Sequence, residues 1–225
     1  MTWIEARRVL REEIEKFRDF RRNMRARFPD PDPRCLNNTQ YSAEHRSVVA
    51  MSLADHAIRD CSSQTLHDML IGLNDPDRIV RGQVGAAFGA CGYEPAVEGL
   101  IRLLRECKDN KETEDIGFIL TAIGRGAVPA LLDLMMSLKD SGRDDIFIAA
   151  GRTIISMGPD VVDWLLETFL DRKSERWGVT LPILASRFQA EAESKLVTLM
   201  NEANNVSNRI LAMRVDLALR FFRAS

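Results

Sequence analysis

Apolar positions in this chain recur on two scales. Within short segments they fall three and four residues apart, the spacing of one buried helical face. Across the chain, the segments TLHDML, GLIRLL, ALLDLM, WLLETF and KLVTLM overlay on Leu66, Leu100, Leu131, Leu165 and Leu196, separated by 34, 31, 34 and 31 residues. Upstream of each lies a second predicted helix, richer in small residues: HRSVVAMSLADHAI, DRIVRGQVGAAFGACG, ETEDIGFILTAIG, RDDIFIAAGRTIISMG and SERWGVTLPILASRF. The repeating unit is thus a helix A followed by a helix B. Gly92, Gly124 and Gly158 stand at the A-to-B corner, where the backbone needs a left-handed geometry that a side chain resists. Polar stretches NDPD, KDNKETED, KDSGRDD, DRKSER and NEANNVSNR predict the loops from each B helix to the next A helix.

The ends depart from this period. Residues 1–28 read as an amphipathic N-terminal helix, with Trp3, Leu10, Phe17 and Met24 at heptad spacing and Ile14, Phe20 and Phe28 beside them. That narrow stripe predicts a cap packed on the first repeat, since a stack of repeats needs a terminal element with a polar outer face. Residues 29–43 form a linker stiffened by Pro29, Pro31 and Pro33. The repeats occupy 44–225, and VSNRILAMRVDLALRFFRAS supplies one further A-like helix that closes the far end. The expected fold is all-α: a right-handed α-solenoid of about five stacked antiparallel helix pairs.

LNDPDRIVRGQVGAAFGACG, with its Asp-rich loop, then Val80-Arg81, small residues and a closing Gly, resembles a HEAT repeat. Arg46 holds the Arg81 position in the first copy, and later copies lose it. The period lies below the roughly 40 to 47 residues of longer HEAT and armadillo units. The chain is more similar to the short HEAT-like repeats of phycobilin lyases. Tetratricopeptide and ankyrin repeats have a matching period, but their signatures are missing here. The resemblance implies a curved stack whose B helices line the concave, binding side.

Composition restricts the function. The 225 residues are 45% hydrophobic and 28% charged with a formal net charge of −2, so no global excess of Lys and Arg favours phosphate. Cys35, Cys61, Cys91 and Cys107 are scattered, and the N-terminus has no apolar leader, which predicts reduced thiols in a cytoplasm. No apolar run approaches the roughly 20 residues that cross a bilayer.

With each aligned Leu pointing inward, the residues two positions after it are Asp68, Arg102, Asp133, Glu167 and Thr198. Those two before it are Gln64, Glu98, Pro129, Asp163 and Ser194. Five carboxylates and one Arg in these rows predict an acidic concave surface that attracts a basic protein surface or segment over nucleic acid. Trp164, beside Asp163, is the candidate anchor, because Trp is over-represented at binding hot spots. It serves equally well to fill a groove between helices. Asp68, Glu98, Arg102, Asp133, Asp163, Trp164 and Glu167 are therefore the candidate partner-binding residues.

Chemistry finds little footing. His56, Cys61 and His67, with Asp55, Asp60 and Asp68 nearby, have ligating atoms but not a zinc spacing. GRGAVP and GYEP are helix corners rather than phosphate loops. With His45, His56 and His67 confined to the first repeat, no Ser–His or Cys–His arrangement is legible. The expected function is a non-enzymatic protein–protein interaction module without cofactor: an adaptor, scaffold or immunity-type inhibitor. Two alternatives follow the resemblance: a phycobilin-lyase-like subunit that attaches a chromophore, and a HEAT-like DNA glycosylase. The glycosylase would require a basic concave surface.

Overall fold

Helices form where the repeated pattern places them, with ends set by capping residues rather than by the extent of polar sequence. The computed structural model describes residues 2–16, 32–60, 62–171, 174–205 and 209–224. Phe17, Phe20, Met24, Phe28, Pro29 and Pro31 lie outside the described residues. Within them are twelve α-helices and no strand. They are α1 (Trp3–Lys16), α2 (Ala43–Asp60), α3 (Ser63–Met69), α4 (Arg78–Cys91), α5 (Val97–Glu106) and α6 (Asn110–Ile123). Then follow α7 (Val128–Leu138), α8 (Asp144–Ser156), α9 (Val162–Leu170), α10 (Trp177–Arg187), α11 (Gln189–Asn205) and α12 (Arg209–Ala224). The A helices of the sequence are α2, α4, α6, α8 and α10; the B helices are the odd ones from α3.

Loops are shorter than their polarity suggests. KDNKETED becomes helical from Asn110 because the Asp109 carboxylate accepts the Lys111 and Glu112 backbone N–H groups at 2.8 and 3.4 Å. Those donors would otherwise be orphaned, and Glu112 in the first turn suits the positive helix end. Asp77 does the same for α4, accepting from Ile79 and Val80. Similarly, Asp144 and Asp145 open α8 instead of closing the loop before it, and α11 carries NEANN within its last turns. At the corners, Gly92, Gly124 and Gly158 have φ of 64°, 89° and 86°. A single 3₁₀ turn follows each: Glu94–Ala96, Arg125–Ala127 and Pro159–Val161.

The aligned leucines all point inward: Leu66, Leu100, Leu131, Leu165 and Leu196 are 0–4% exposed. Burying each contributes about 1.5–3 kcal/mol relative to leaving it in water. One continuous core runs from Cys35 to Phe222. Even-numbered helices touch in chain order, α2 on α4, α4 on α6, α6 on α8, α8 on α10 and α10 on α12. Among the odd ones, α5 touches α7 and α9 touches α11. Helix α12 buries Val215, Ala218, Leu219 and Phe222, packing chiefly on α11 and also reaching α9 and α10.

The sequence reading seats the N-terminal helix on the first pair, but α1 extends much further. It packs on α2, α4 and α6, burying Ala6 and Leu10, and its first residues reach the end of α8. Trp3 donates its backbone N–H to the Met157 carbonyl at 3.4 Å, and Arg7 donates to the Ala122 and Ile123 carbonyls at 3.1 Å each. Arg11 donates to the Ala90 carbonyl at 2.9 Å. Helix α1 therefore crosses the C-terminal ends of α8, α6 and α4 in reverse chain order. The corner glycines are its seats: Thr2 lies against Gly158 and Trp3 against Gly124, and a β-carbon at Gly92 would overlap the Arg7 guanidinium.

Candidate functional site

The odd-numbered helices carry the residues singled out from sequence, and their tips stand in solvent. Asp68 on α3 is exposed and accepts from the Gln64 amide at 2.8 Å. Glu98 on α5 and Glu167 on α9 are also exposed, while Arg102 on α5 donates to Asn74 Oδ1 at 2.6 Å. Asp133 on α7 receives both arms of Arg176 at 2.7 Å each, and Asp163 on α9 receives Lys195 of α11 at 2.5 Å. The hydrogen bond to Asp163 holds the Lys195 ammonium above its ordinary pKa, against desolvation. Two of the five row carboxylates therefore share their charge with cations of the same chain, which lowers the negative potential these rows offer a partner.

Of the seven candidates, the fold gathers two into one depression. Glu98 and Asp133 line a groove of about 430 Å³ between α5 and α7, with Glu94 and Arg105 at its edge. Asp68, Arg102, Asp163 and Glu167 do not line it. Trp164 is half-buried with its ring packed against the main core, so most of the indole is engaged within the fold.

A larger cavity lies on the opposite row of helices, where sequence reasoning placed no site. It is an open groove of about 770 Å³ with α4 as its floor and α2 and α6 as its walls. Helix α1 closes the end nearest the corners through Leu10, Glu13 and Ile14. Met51 and Ala54 line the α2 side, Ile79, Gly82 and Ala86 the floor, and Phe118 and Ile119 the α6 side. Ile79 is 64% exposed although Val80, Val84, Ala87, Phe88 and Ala90 of the same helix are buried. The polar lining consists of Ser47, Gln83, Glu13 and Asp115, with the Ser47 hydroxyl donating to Gln83 Oε1 at 3.0 Å. Beyond Phe118 a more polar groove of about 480 Å³ continues between α6 and α8, past Glu114, Asp145 and Arg152.

A signal for the large groove was present in the sequence. Ile79, Gly82, Gln83 and Ala86 fall at i, i+3, i+4 and i+7, a second helical stripe beside the buried Val80, Val84, Ala87 and Phe88. Ser47, Met51 and Ala54 repeat that spacing on α2. What the sequence could not show is that both stripes face one trough.

Among the described residues the side chains of this trough are chiefly hydrocarbon, and its one hydroxyl, on Ser47, donates to the Gln83 amide oxygen. Elsewhere, His56 and His67 are exposed and His45 stacks on Tyr41 at 4.8 Å between ring centroids. Cys61 lies outside the described residues, among which no three His, Cys, Asp or Glu side chains gather as metal ligands would. Cys35, Cys91 and Cys107 are free thiols, and among the described residues no single helix is long and apolar enough to cross a membrane. Compared with protein-family models, curated proteins and solved structures, the chain matches none of them.

Proposed function

We propose that this chain is a non-enzymatic protein-binding module whose helix pairs stack as a right-handed α-solenoid of about five HEAT-like units, flanked by α1 and α12. Neighbour-to-neighbour contact of the even helices supports the stacking, as does the contact of α5 with α7 and of α9 with α11. The observation that carries the binding reading is the open apolar groove over α4. A trough that keeps Ile79 in water and offers hydrocarbon on three sides gains about 25 cal/mol for each Å² a partner covers. Among the described residues its charged lining is Glu13 and Asp115, which disfavours the phosphate backbone of nucleic acid. The acidic rows on the odd helices are a second contact surface, weakened by the Arg176 and Lys195 pairs.

The test is site-specific photo-crosslinking in the source cell, with a benzophenone side chain at Ile79 in the groove or at Glu167 on the odd helices. A discrete protein adduct from position 79 is the expected result. Adducts from position 167 alone would move the binding surface to the acidic rows. Failure to form a protein adduct at either position would overturn the binding-module reading.

A further inference from the structure

Helix α4 carries three interior glycines, and the fold accounts for two of them. A β-carbon at Gly85 would come 2.7 Å from Ile119 Cδ1, and one at Gly89 would meet Leu10 at 2.5 Å and the Ile119 carbonyl at 3.3 Å. At Gly82 a β-carbon would meet no atom of the described residues within 4 Å. Glycine weakens a helix interior relative to alanine, and among the described residues nothing packs against the bare face of this one. Gly82 lies at the centre of the groove floor, between Ile79 and Ala86. A glycine there leaves the α4 backbone open to close approach.

The shape selects the occupant. With α4 as floor, α2 and α6 as walls and α1 at one end, the groove stays open to solvent on its outer side, whereas a small-molecule site encloses most of its ligand. An amphipathic helix laid in such a channel buries its apolar face on i, i+3, i+4 and i+7 anchors and keeps its polar flanks in water. The charges select its composition. Glu13 stands at the α1 end and Asp115 on the α6 wall, and among the described residues neither Lys nor Arg lines the groove. Glu13 pairs only with Lys16 of its own helix among the described ion pairs, and Asp115 makes no ion pair among the described residues. We infer that the groove over Gly82 receives an amphipathic helix of a partner protein, with Leu- or Phe-sized anchors against Ile79, Gly82 and Phe118 and Lys or Arg on its flanks facing Glu13 and Asp115. The inference rests on the binding-module reading and adds the chemical class of the partner.

The experiment uses the full chain and a fluorescein-labelled 18-residue helical peptide of Leu and Lys, Leu at i, i+3, i+4 and i+7, with a second peptide in which Glu replaces every Lys. Fluorescence anisotropy should give saturable binding of the Leu/Lys peptide and at least tenfold weaker binding of the Leu/Glu peptide. Gly82→Trp places a ring over the floor from a position whose β-carbon has open space among the described residues; it should keep the circular dichroism spectrum and melting temperature and weaken the Leu/Lys peptide at least tenfold. Glu13→Lys with Asp115→Lys should reverse the preference between peptides. Equal affinity for the two peptides overturns the assigned charge, and unchanged affinity in the folded Gly82→Trp chain overturns the assigned site. Binding of dodecanoate in place of either peptide, or self-association abolished by Gly82→Trp, assigns the groove to an acyl chain or to a second copy and overturns the partner. A protein adduct from position 79 whose target lacks a basic amphipathic helix sinks this inference while leaving the binding-module reading standing.

Discussion

Asp75 ties the segment before α2, α2 itself and the loop before α4 together through one buried carboxylate. It is 1% exposed and accepts four hydrogen bonds: from Arg46 Nε at 2.7 Å and Nη2 at 3.0 Å, from the Asn37 N–H at 2.9 Å and from the Asp77 N–H at 2.8 Å. Asn37 holds φ at 62° to present its N–H. Burial alone would raise the carboxyl pKa; the Arg46 bonds and the two backbone donors outweigh it and leave Asp75 below the ordinary carboxylate range. A folded pKa below the unfolded value of about 3.9 means that the carboxylate stabilises the fold above that pH. That contribution disappears as pH falls through the lower, folded pKa. Stability from Asp75 should therefore be constant between about pH 6 and 8 and decline only below about pH 4. Asp75→Asn should cost about 3–5 kcal/mol at pH 7, because Arg46 stays buried without its counter-charge. It should also flatten part of the acid decline. Urea unfolding at several pH values checks both; an unchanged midpoint at pH 7 would show the pair to be dispensable. The sequence revealed that Arg46 and Arg81 occupy equivalent positions, but not that Arg46 reaches Asp75 and Arg81 reaches Glu112, each in the loop or helix start of the next repeat.

Helix α1 shows what an element can do that its own sequence does not announce. Its stripe of Trp3, Leu10 and Ile14 was legible as a packing face, whereas nothing in the sequence marked Arg7 and Arg11. In the fold they cap the last carbonyls of α6 and α4, groups that lack intrahelical partners and carry the negative end of the helix dipole. Arg7→Ala with Arg11→Ala should destabilise the protein by about 2 kcal/mol, toward the low end for charged hydrogen bonds because both side chains are partly exposed. Hydrogen exchange should then accelerate first in α1, with α4 and α6 slowest to follow. The same exchange pattern in the double variant and in the parent would mean that Ala6 and Leu10 hold the helix alone. Corner glycines carry a similar double meaning. Gly92, Gly124 and Gly158 were readable as turns from their place after an apolar run, but each also leaves the gap into which α1 settles, and that gap is invisible along the chain.

Over the whole molecule, stability should be graded rather than uniform, since most helices touch only their neighbours in the stack. By linking α2, α4 and α6 and reaching α8, α1 binds the first pairs into one unit, while α11 and α12 lean chiefly on each other. Native-state hydrogen exchange should find the slowest amides in α4 and α6 and a smaller opening free energy for α11 and α12. One common opening energy for both regions would contradict that division. Helix positions, the 31- and 34-residue alternation, inward leucines and corner turns were determined by the sequence alone. They depend on periodicity, capping and backbone freedom, which are properties of residues adjacent in the chain. The path of α1, the neutralisation of Asp133 and Asp163, and the groove over Gly82 were decided only by the tertiary structure. Each joins residues far apart in sequence, as when Trp3 Nε1 donates to Asp160 across 157 positions at 2.7 Å, and no local pattern specifies which distant surfaces meet.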